Sequence, residues 1–313
     1  MVIYCLKRAL LGAVALVAVS LITFILMNLI PGGPFLSEKA PSAEVLASMN
    51  AKYGLDKPLH QQYITWATDI LRGDLGVSFK MQKNRPVILI IQEKFPTSIR
   101  VGSFALLWAI AAGVSLGSYA AFHRGRPVDS ALRVVTTMGV VVPAFVTASI
   151  LLVTISGKFP KAFPSIVSNE APWHAYILPC FTLGLNPMCN IARYTRAAML
   201  DALGQEYIRT AYAKGLGSRR IIFKHALRNA LIPVISYIGP VIAYVLTGGF
   251  VVETVFNIPG LGRYFVQSIS NRDYPIIMGT AIFLAAFIIV MSVIVDILYK
   301  VVDPRISLTK EAA

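Results

Sequence analysis

The residues that could carry out chemistry in this chain are few and scattered. The four histidines are His60, His123, His174 and His225. None has the short spacing by which side chains share a metal ion, and no Ser/His/Asp arrangement has a scaffold to hold it. Gly157-Lys158 lacks the upstream glycine of a phosphate-binding P-loop, so no ATP site is expected on this chain. The sequence therefore predicts a protein that is not an enzyme and carries no metal or cofactor.

The cysteines give no sign of a disulfide framework. They are Cys5, Cys180 and Cys189, and the last two lie in a single apolar run. None lies in a segment expected to be extracellular. We therefore expect neither a structural disulfide nor a zinc site.

The composition is that of a membrane protein. Hydrophobic residues make up 56% of the 313 positions and charged residues 14%, whereas charged residues are about a quarter of a soluble domain. In a soluble protein the net charge of +14 would suggest nucleic-acid binding. Here Lys and Arg lie largely in loops beside apolar runs, and no basic module has its own soluble core. The sequence predicts contact with membrane lipid and not with nucleic acid.

Six apolar runs have about the length of 20 residues that a helix needs to cross a bilayer. They are residues 9–30, 97–122, 131–156, about 176–192, 230–252 and 276–302. Lys7 and Arg8 precede the first run, and positive charges accumulate on the cytoplasmic side. We predict an all-α, polytopic membrane protein with six transmembrane helices and both termini in the cytoplasm.

This interpretation divides the chain into four segments. They are a first transmembrane helix at residues 1–30, an external insertion at 31–96, a five-helix transmembrane domain at 97–303 and a cytoplasmic tail at 304–313. Within the insertion, Asp56-Lys57-Pro58 predicts a helix start, and residues 86–95 predict a short helix that cannot span. The insertion either caps and positions the spans or contacts an external protein.

Acidic residues are absent from the middle of the predicted spans. Glu253 and Asp296 lie at span ends, whereas an ion-coupled carrier would place such groups near the midplane. The fourth run contains Asn186 and Asn190. Amides at that depth face protein or a water-filled cavity, so these two either pack against neighbouring helices or line a passage.

A basic segment at residues 206–233 stands between two of the apolar runs. Apolar residues that recur at three- and four-residue steps predict an amphipathic helix for its first arm. They are Met199, Leu200, Leu203, Tyr207 and Ala211. Gly215 predicts a left-handed helix cap, Gly217 a second sharp bend, and Ser218 the N-cap of another helix. The pattern indicates a helix-turn-helix that docks onto another protein.

The basic segment resembles the "EAA" loop of permease subunits in bacterial ABC importers, and is most similar to the peptide and nickel branch. The similarity rests on Arg-Thr-Ala-Tyr-Ala-Lys-Gly-Leu at 209–216 and His-Ala-Leu-Arg-Asn-Ala at 225–230. Arg209 stands where the motif has Glu, and Arg228 where it has Pro, which predicts an unbroken second helix. The resemblance makes residues 199–229 the ATPase-coupling loop. Its expected site residues are Ala211, Gly215, Gly217, Leu227 and Asn229, of which Gly215, Leu227 and Asn229 match the motif.

The resemblance extends to the predicted external regions of the chain. Residues 53–63, 71–78, 253–263 and 271–275 are similar to those of oligopeptide permeases. Glycines in the last region predict a tight re-entrant turn. By resemblance, the external gate loop contains Pro259, Gly260, Gly262, Asp273, Tyr274 and Pro275.

The family implies the transmembrane domain of a type-I ABC importer in the bacterial cytoplasmic (inner) membrane. The implied partners are a second homologous permease, two ATPases that bind the ATP, and an external substrate-binding protein. Di- or oligopeptides are the expected cargo. Nickel or another small solute is the alternative, and a self-sufficient secondary carrier is a further one.

Overall fold

The computed structural model describes residues 2–29, 33–35, 43–168, 171–217, 220–247 and 249–302. Over these residues the chain is helical, and its sheet-type pairing is an isolated bridge between Val77 and Pro86. The all-α fold class is thus confirmed. The predicted N-cap Ser218 and the tail at 304–313 lie outside the described residues. The helices group into two compact units, Met1–Thr97 with Pro259–Ile289 and Ser98–Ile258 with Val290–Ala313.

The first unit combines helices from both ends of the chain. Its elements are α1 (Val2–Leu29), α2 (Ala43–Lys52), α3 (Leu59–Leu71), the start of α4 (Val87–Phe122), α11 (Leu261–Asn271) and the start of α12 (Tyr274–Val302). Pro58 precedes α3 as its N-cap residue, so the helix start predicted from Asp56-Lys57-Pro58 is confirmed. One buried cluster of this unit comprises Phe24, Met27, Tyr274, Ile277 and Met278.

The second unit contains the middle of the chain. After the remainder of α4 come α5 (Pro127–Val141), α6 (Ala144–Leu151), α7 (Ile177–Leu203), α8 (Glu206–Ala213), α9 (Leu227–Leu246) and α10 (Phe250–Val255). A π-helical turn at Leu152–Ser156 extends α6, a 3-10 turn at Trp173–Tyr176 precedes α7, and a π-helical turn at Ile221–Ala226 precedes α9.

The start of α4 differs from the sequence prediction for residues 86–95. Residues 86–95 were predicted to form a separate short helix, but they are the first turns of a continuous helix of 36 residues that contains Pro96. A proline removes one backbone donor, which long helices tolerate when neighbouring groups compensate. At about 1.5 Å per residue α4 is roughly 54 Å long, which exceeds the hydrocarbon thickness of about 30 Å.

The predicted third span is not straight. The chain bends by 102° between Pro127–Val141 and Ala144–Ser156. Val142 has an extended conformation with ψ 121°, and Pro143 follows it. A proline disfavours the helical conformation in the preceding residue, so Pro143 explains why α5 ends there.

Four helices in the described part of the chain are long and apolar enough to cross a membrane, or five if the bent pair is a single span. The four are Lys7–Leu29, Val87–Phe122, Leu227–Val255 and Tyr274–Ile297. The remaining predicted span lies in α7, which has 27 residues and is long enough to cross. It is not apolar enough to count among these helices, so the structure supports four or five of the six predicted spans.

The helices α4 and α7 pack at backbone contact. A Cβ atom on Gly113 would lie 2.8 Å from the carbonyl oxygen of Met188, and one on Gly117 would collide with the carbonyl oxygen of Ala192. Small residues allow such approach between membrane helices, where close packing replaces the hydrophobic driving force. These two glycines therefore fix α4 against α7.

Candidate functional site

The first arm of the coupling loop consists of two helices where one was predicted. The helix α7 ends at Leu203, a turn follows at Gly204, and α8 begins at Glu206. The turn shifts the helical phase. Ile208 is therefore buried, whereas Tyr207, which was predicted on the apolar face, is 40% exposed.

The end of α8 is a Schellman cap. The N–H of Gly215 donates to the carbonyl oxygen of Tyr212 at 2.9 Å, and the N–H of Leu216 donates to that of Ala211 at 3.3 Å. Gly215 has φ +74°, which confirms its predicted left-handed conformation. Leu216 packs against the buried cluster that contains Ala211, as the hydrophobic contact of this motif requires.

Gly217 does not share the left-handed conformation of Gly215. It lacks a positive φ, and a Cβ atom there would meet nothing within 4 Å. Its carbonyl oxygen accepts the N–H groups of Arg220 and Ile221. Gly217 thus opens the next helical turn through its carbonyl group, a role that does not require glycine.

The second arm continues into a membrane helix without a break. The π-helical turn Ile221–Ala226 leads directly into α9, as the presence of Arg228 predicts. Leu227 packs against the buried cluster below the loop, whereas Asn229 is exposed. The described part of the second arm is therefore connected rigidly to α9.

A buried cluster joins both arms of the coupling loop to the end of α7. It comprises Ala121, Met199, Ala202, Ile208, Ala211, Ile221, Ala226 and Ala230. On the opposite side of α8, Tyr207 and Tyr212 are exposed, and Arg209 pairs with Glu206 at 3.2 Å in solvent. A helix with one face buried and aromatic residues on the other can transmit a displacement from a docked partner to α7.

Sequence reasoning missed an ion pair one turn before this cluster. Arg196 of α7 holds Asp129 of α5 through Nε–Oδ1 at 2.6 Å and a second nitrogen, Nη2–Oδ2, at 2.8 Å. Asp129 is 1% exposed and also accepts the N–H of Gly125 at 3.1 Å. Because a two-point Arg–carboxylate pair fixes orientation as well as distance, it ties α5 to α7. The sequence did offer one signal for this pair: Asp129 is an acidic residue, rare in this chain, beside a basic turn.

The two asparagines of the fourth predicted span lie one helical turn apart, and their side chains interact. The amide nitrogen of Asn186 donates to the carbonyl oxygen of Val140 at 3.0 Å, and that of Asn190 donates to Asn186. Val140 is the next-to-last residue of α5, where the bend leaves carbonyl groups without helical partners. Asn186 is also exposed. It therefore braces the bend and still presents a polar surface.

The predicted external gate loop is largely helical. Gly260 is the N-cap residue of α11, with φ −93°, and Gly262 is buried in its first turn. The two glycines therefore begin a helix that Pro259 precedes, and a turn at residues 256–257 comes before them. Left-handed conformations occur instead at Asn257 and Arg272.

Asp273 binds a distant loop with both of its carboxylate oxygens. Oδ2 accepts the hydroxyl of Ser78 at 2.6 Å and the N–H groups of Lys80 and Met81 at 2.9 Å each, while Oδ1 accepts the N–H of Phe79 at 3.0 Å. The carboxylate is fully buried. We call this arrangement the Asp273 clamp. It holds residues 78–81 against the start of α12.

Residues beside the clamp extend the same packing. The hydroxyl of Tyr274 donates to the carbonyl oxygen of Met27 at 3.2 Å. Gly76 has φ +80°, and a Cβ atom there would lie 3.5 Å from the Cβ of Pro275. Partial burial lowers the pKa of Lys80, the charge of Arg272 lowers it further, and Asp273 acts in the opposite direction.

Together these features define a multi-pass helical membrane protein with a compact basic loop between two of its helices. The described residues contain no group of His, Cys, Asp and Glu that could hold a metal ion. The long apolar helices are typical of a transport permease.

The chain belongs to the family of binding-protein-dependent transport system inner membrane components. The model of that family matches residues 113–308, and the model of the family's N-terminal region matches residues 1–102. The protein is therefore a permease that works with other components of an ABC importer.

Similar proteins extend over nearly the whole chain. The dipeptide transport system permease protein of Bacillus subtilis is 41% identical over 308 residues, which cover 98% of this chain and 99% of the relative. The oligopeptide transport system permease protein of Haemophilus influenzae is 41% identical, with coverage of 91% and 92%. Its counterpart in Salmonella typhimurium is 39% identical, with coverage of 97% and 98%.

Proposed function

We propose that this chain is the membrane-spanning permease subunit of an ATP-driven importer that takes up di- and oligopeptides. The observation that carries the proposal is the similarity to dipeptide and oligopeptide permeases over at least 91% of the chain. The coupling loop and the absence of a P-loop support it, because a driven permease needs a docking surface and no nucleotide site of its own.

The proposed assembly supplies what this chain lacks. Two ATPase subunits bind ATP, a second homologous permease completes the passage, and an external binding protein delivers the peptide. The assembly lies in the bacterial cytoplasmic membrane with both termini of this chain in the cytoplasm. The accumulation of positive charge before the first span supports that orientation.

Coupling follows the rigid contacts of the second unit. An ATPase that displaces α8 also displaces α7, because Ile208 and Ala211 pack in one cluster with Met199 and Ala202. Displacement of α7 carries α5 with it through the pair Arg196–Asp129. ATP binding can drive transport only if it favours one arrangement of the spans over another, and these contacts connect the two events.

The passage is proposed to run along one face of α7. Asn186, Asn190 and Tyr194 recur at four-residue steps and are at least partly exposed. The ring of Tyr194 lies 4.7 Å from that of Tyr237 in α9, centroid to centroid. Exposed amides at membrane depth face water or protein rather than lipid. A polar strip of this kind would guide a peptide without binding it tightly.

Uptake by cells in which this system is the only peptide importer tests the cargo. Labelled dipeptide, labelled oligopeptide and nickel are supplied to cells with and without the gene, with all partner genes intact. Loss of peptide uptake with unchanged nickel uptake is the expected result. Loss of nickel uptake alone would identify nickel as the cargo. The assignment as a permease would then still hold.

A further inference from the structure

We propose that a groove between α4 and the start of α7 binds one anionic phospholipid of the surrounding membrane. The groove has a cavity volume of about 650 Å³, within the range of roughly 300–1,000 Å³ typical of ligand sites. The residues that define this aromatic groove are Arg100, Phe104, Trp108, Trp173, Ile177 and Phe181. All of them belong to the second unit.

The wall of the aromatic groove is apolar and held in place. The rings of Trp108 and Phe181 stack with centroids 5.2 Å apart and an interplanar angle of 9°. The indole N–H of Trp108 donates to the carbonyl oxygen of Cys180 at 2.8 Å. Because the polar atom of the indole is satisfied inside the protein, the groove presents ring surface and aliphatic side chains. Such a wall suits an acyl chain.

Arg100 supplies a cation at one end of this wall. Its side chain is exposed and forms no ion pair with the described part of the chain. It lies one turn from residue 97, where the second span is predicted to begin. Trp173, 78% exposed, directly precedes α7, and tryptophan is enriched at the membrane–water interface. We therefore place the guanidinium group at headgroup depth, where phosphate groups are available and Arg binds them through paired N–H groups.

The helical phase of α7 favours lipid over the transport passage as the occupant. Phe181 and Asn190 are nine residues apart, which is two and a half turns at 3.6 residues per turn. The aromatic groove and the polar strip therefore lie on opposite sides of α7. If the strip faces water, the groove faces outward, where acyl chains are the surrounding molecules.

Photo-crosslinking in the assembled complex tests this inference. Phe104 is replaced by the photoreactive analogue p-benzoylphenylalanine, and the complex is reconstituted in vesicles of phosphatidylcholine or of an equal mixture with phosphatidylglycerol. After illumination, adducts on the chain are identified by mass spectrometry. We expect phospholipid adducts, enriched in phosphatidylglycerol over its share in the vesicle.

Variants of the cation then separate headgroup recognition from general lipid contact. Since one basic residue at a membrane surface contributes about a fivefold preference for anionic lipid, Arg100→Ala should abolish an enrichment of about that size. Arg100→Lys should retain most of it. Arg124→Ala changes an exposed arginine in the turn two residues beyond the C-terminal end of α4 and should have no effect on these adducts.

Two results would overturn the inference. Adducts to the second permease in place of lipid would show that protein covers the groove. The second result is a ratio of lipids in the adducts that equals the ratio in the vesicle, both for the parent and for Arg100→Ala. It would show that no headgroup is recognised.

Discussion

Ser78 and Asp273 are separated by 195 positions in the chain, yet the hydroxyl of Ser78 lies 2.6 Å from the carboxylate of Asp273 and donates to it. Three consecutive backbone N–H groups, from Phe79 to Met81, converge on the same carboxylate. The four donors replace the water that the carboxylate loses on burial, so the free energy of desolvation is largely offset. The contact can therefore hold two distant segments of the chain together.

Replacement of Asp273 by Asn should destabilise the first unit. The amide has one acceptor oxygen in place of two, and its NH₂ group faces backbone donors. Each buried donor left unsatisfied costs about 1–3 kcal/mol. Thermal unfolding of the purified complex should show a clear decrease in midpoint. Asp74→Asn is the matched control, because Asp74 accepts a single N–H, from Gly76, at an exposed position. Equal midpoints for the two variants would contradict the role of the clamp.

Gly215→Ala should impair transport more than Gly217→Ala. Both positions have free space for a Cβ atom, but only Gly215 of the two has a left-handed conformation. A non-glycine residue there costs about 1–2 kcal/mol. Peptide-stimulated ATPase activity in vesicles measures the effect. Gly215→Asn should recover part of it, since asparagine tolerates this conformation. Equal activity of the two alanine variants would show that the cap is not needed for coupling.

Asp129→Asn should lower the stability of the protein markedly more than Arg133→Gln does. Breaking a buried pair by neutralising one partner costs about 3–5 kcal/mol, and Asp129 is 1% exposed. Arg133 lies 4.0 Å from the same carboxylate but is 56% exposed, so its loss should cost less than about 1 kcal/mol. Denaturation midpoints of both variants provide the comparison. Indistinguishable midpoints would mean that α5 and α7 are held together by other contacts.

Asn190→Leu should lower peptide transport without lowering the amount of assembled complex. The substitution keeps the size of the side chain but removes a polar group from the proposed passage. Met188→Leu is the control two residues away, because Met188 is buried and 8% exposed. Initial uptake rates and complex yield are measured in parallel. A loss of assembly in Asn190→Leu would instead indicate that the residue serves helix packing.

Cysteines introduced at Lys83 and Tyr212 should be labelled from opposite sides of the membrane. Both side chains are exposed, and the predicted topology places residue 83 outside and residue 212 in the cytoplasm. The three native cysteines are first replaced by serine or alanine. A membrane-impermeant maleimide applied to intact cells should react at position 83 only. Reaction at both positions would refute the topology.

Local features of the structure were accessible from the sequence, whereas contacts between distant segments were not. Gly215 after an amphipathic helix indicates a cap because the motif lies within a few residues. Tyr207 was predicted on the buried face in place of Ile208, because the turn at Gly204 interrupts the periodic pattern of apolar residues. Resemblance marked both segments of the Asp273 clamp, but no local pattern predicts that Asp273 binds Ser78, because the two segments meet only after the chain has folded.

The contact of Gly113 and Gly117 with α7 has a consequence for the lipid proposed in the aromatic groove. Because backbone touches backbone at these points, α4 and α7 cannot slide apart without opening an empty gap. The groove is built from the same two helices, so its width should stay constant while other helices rearrange. We therefore expect the groove to offer a lipid the same shape in each arrangement of the spans, so that its occupancy does not vary over the transport cycle.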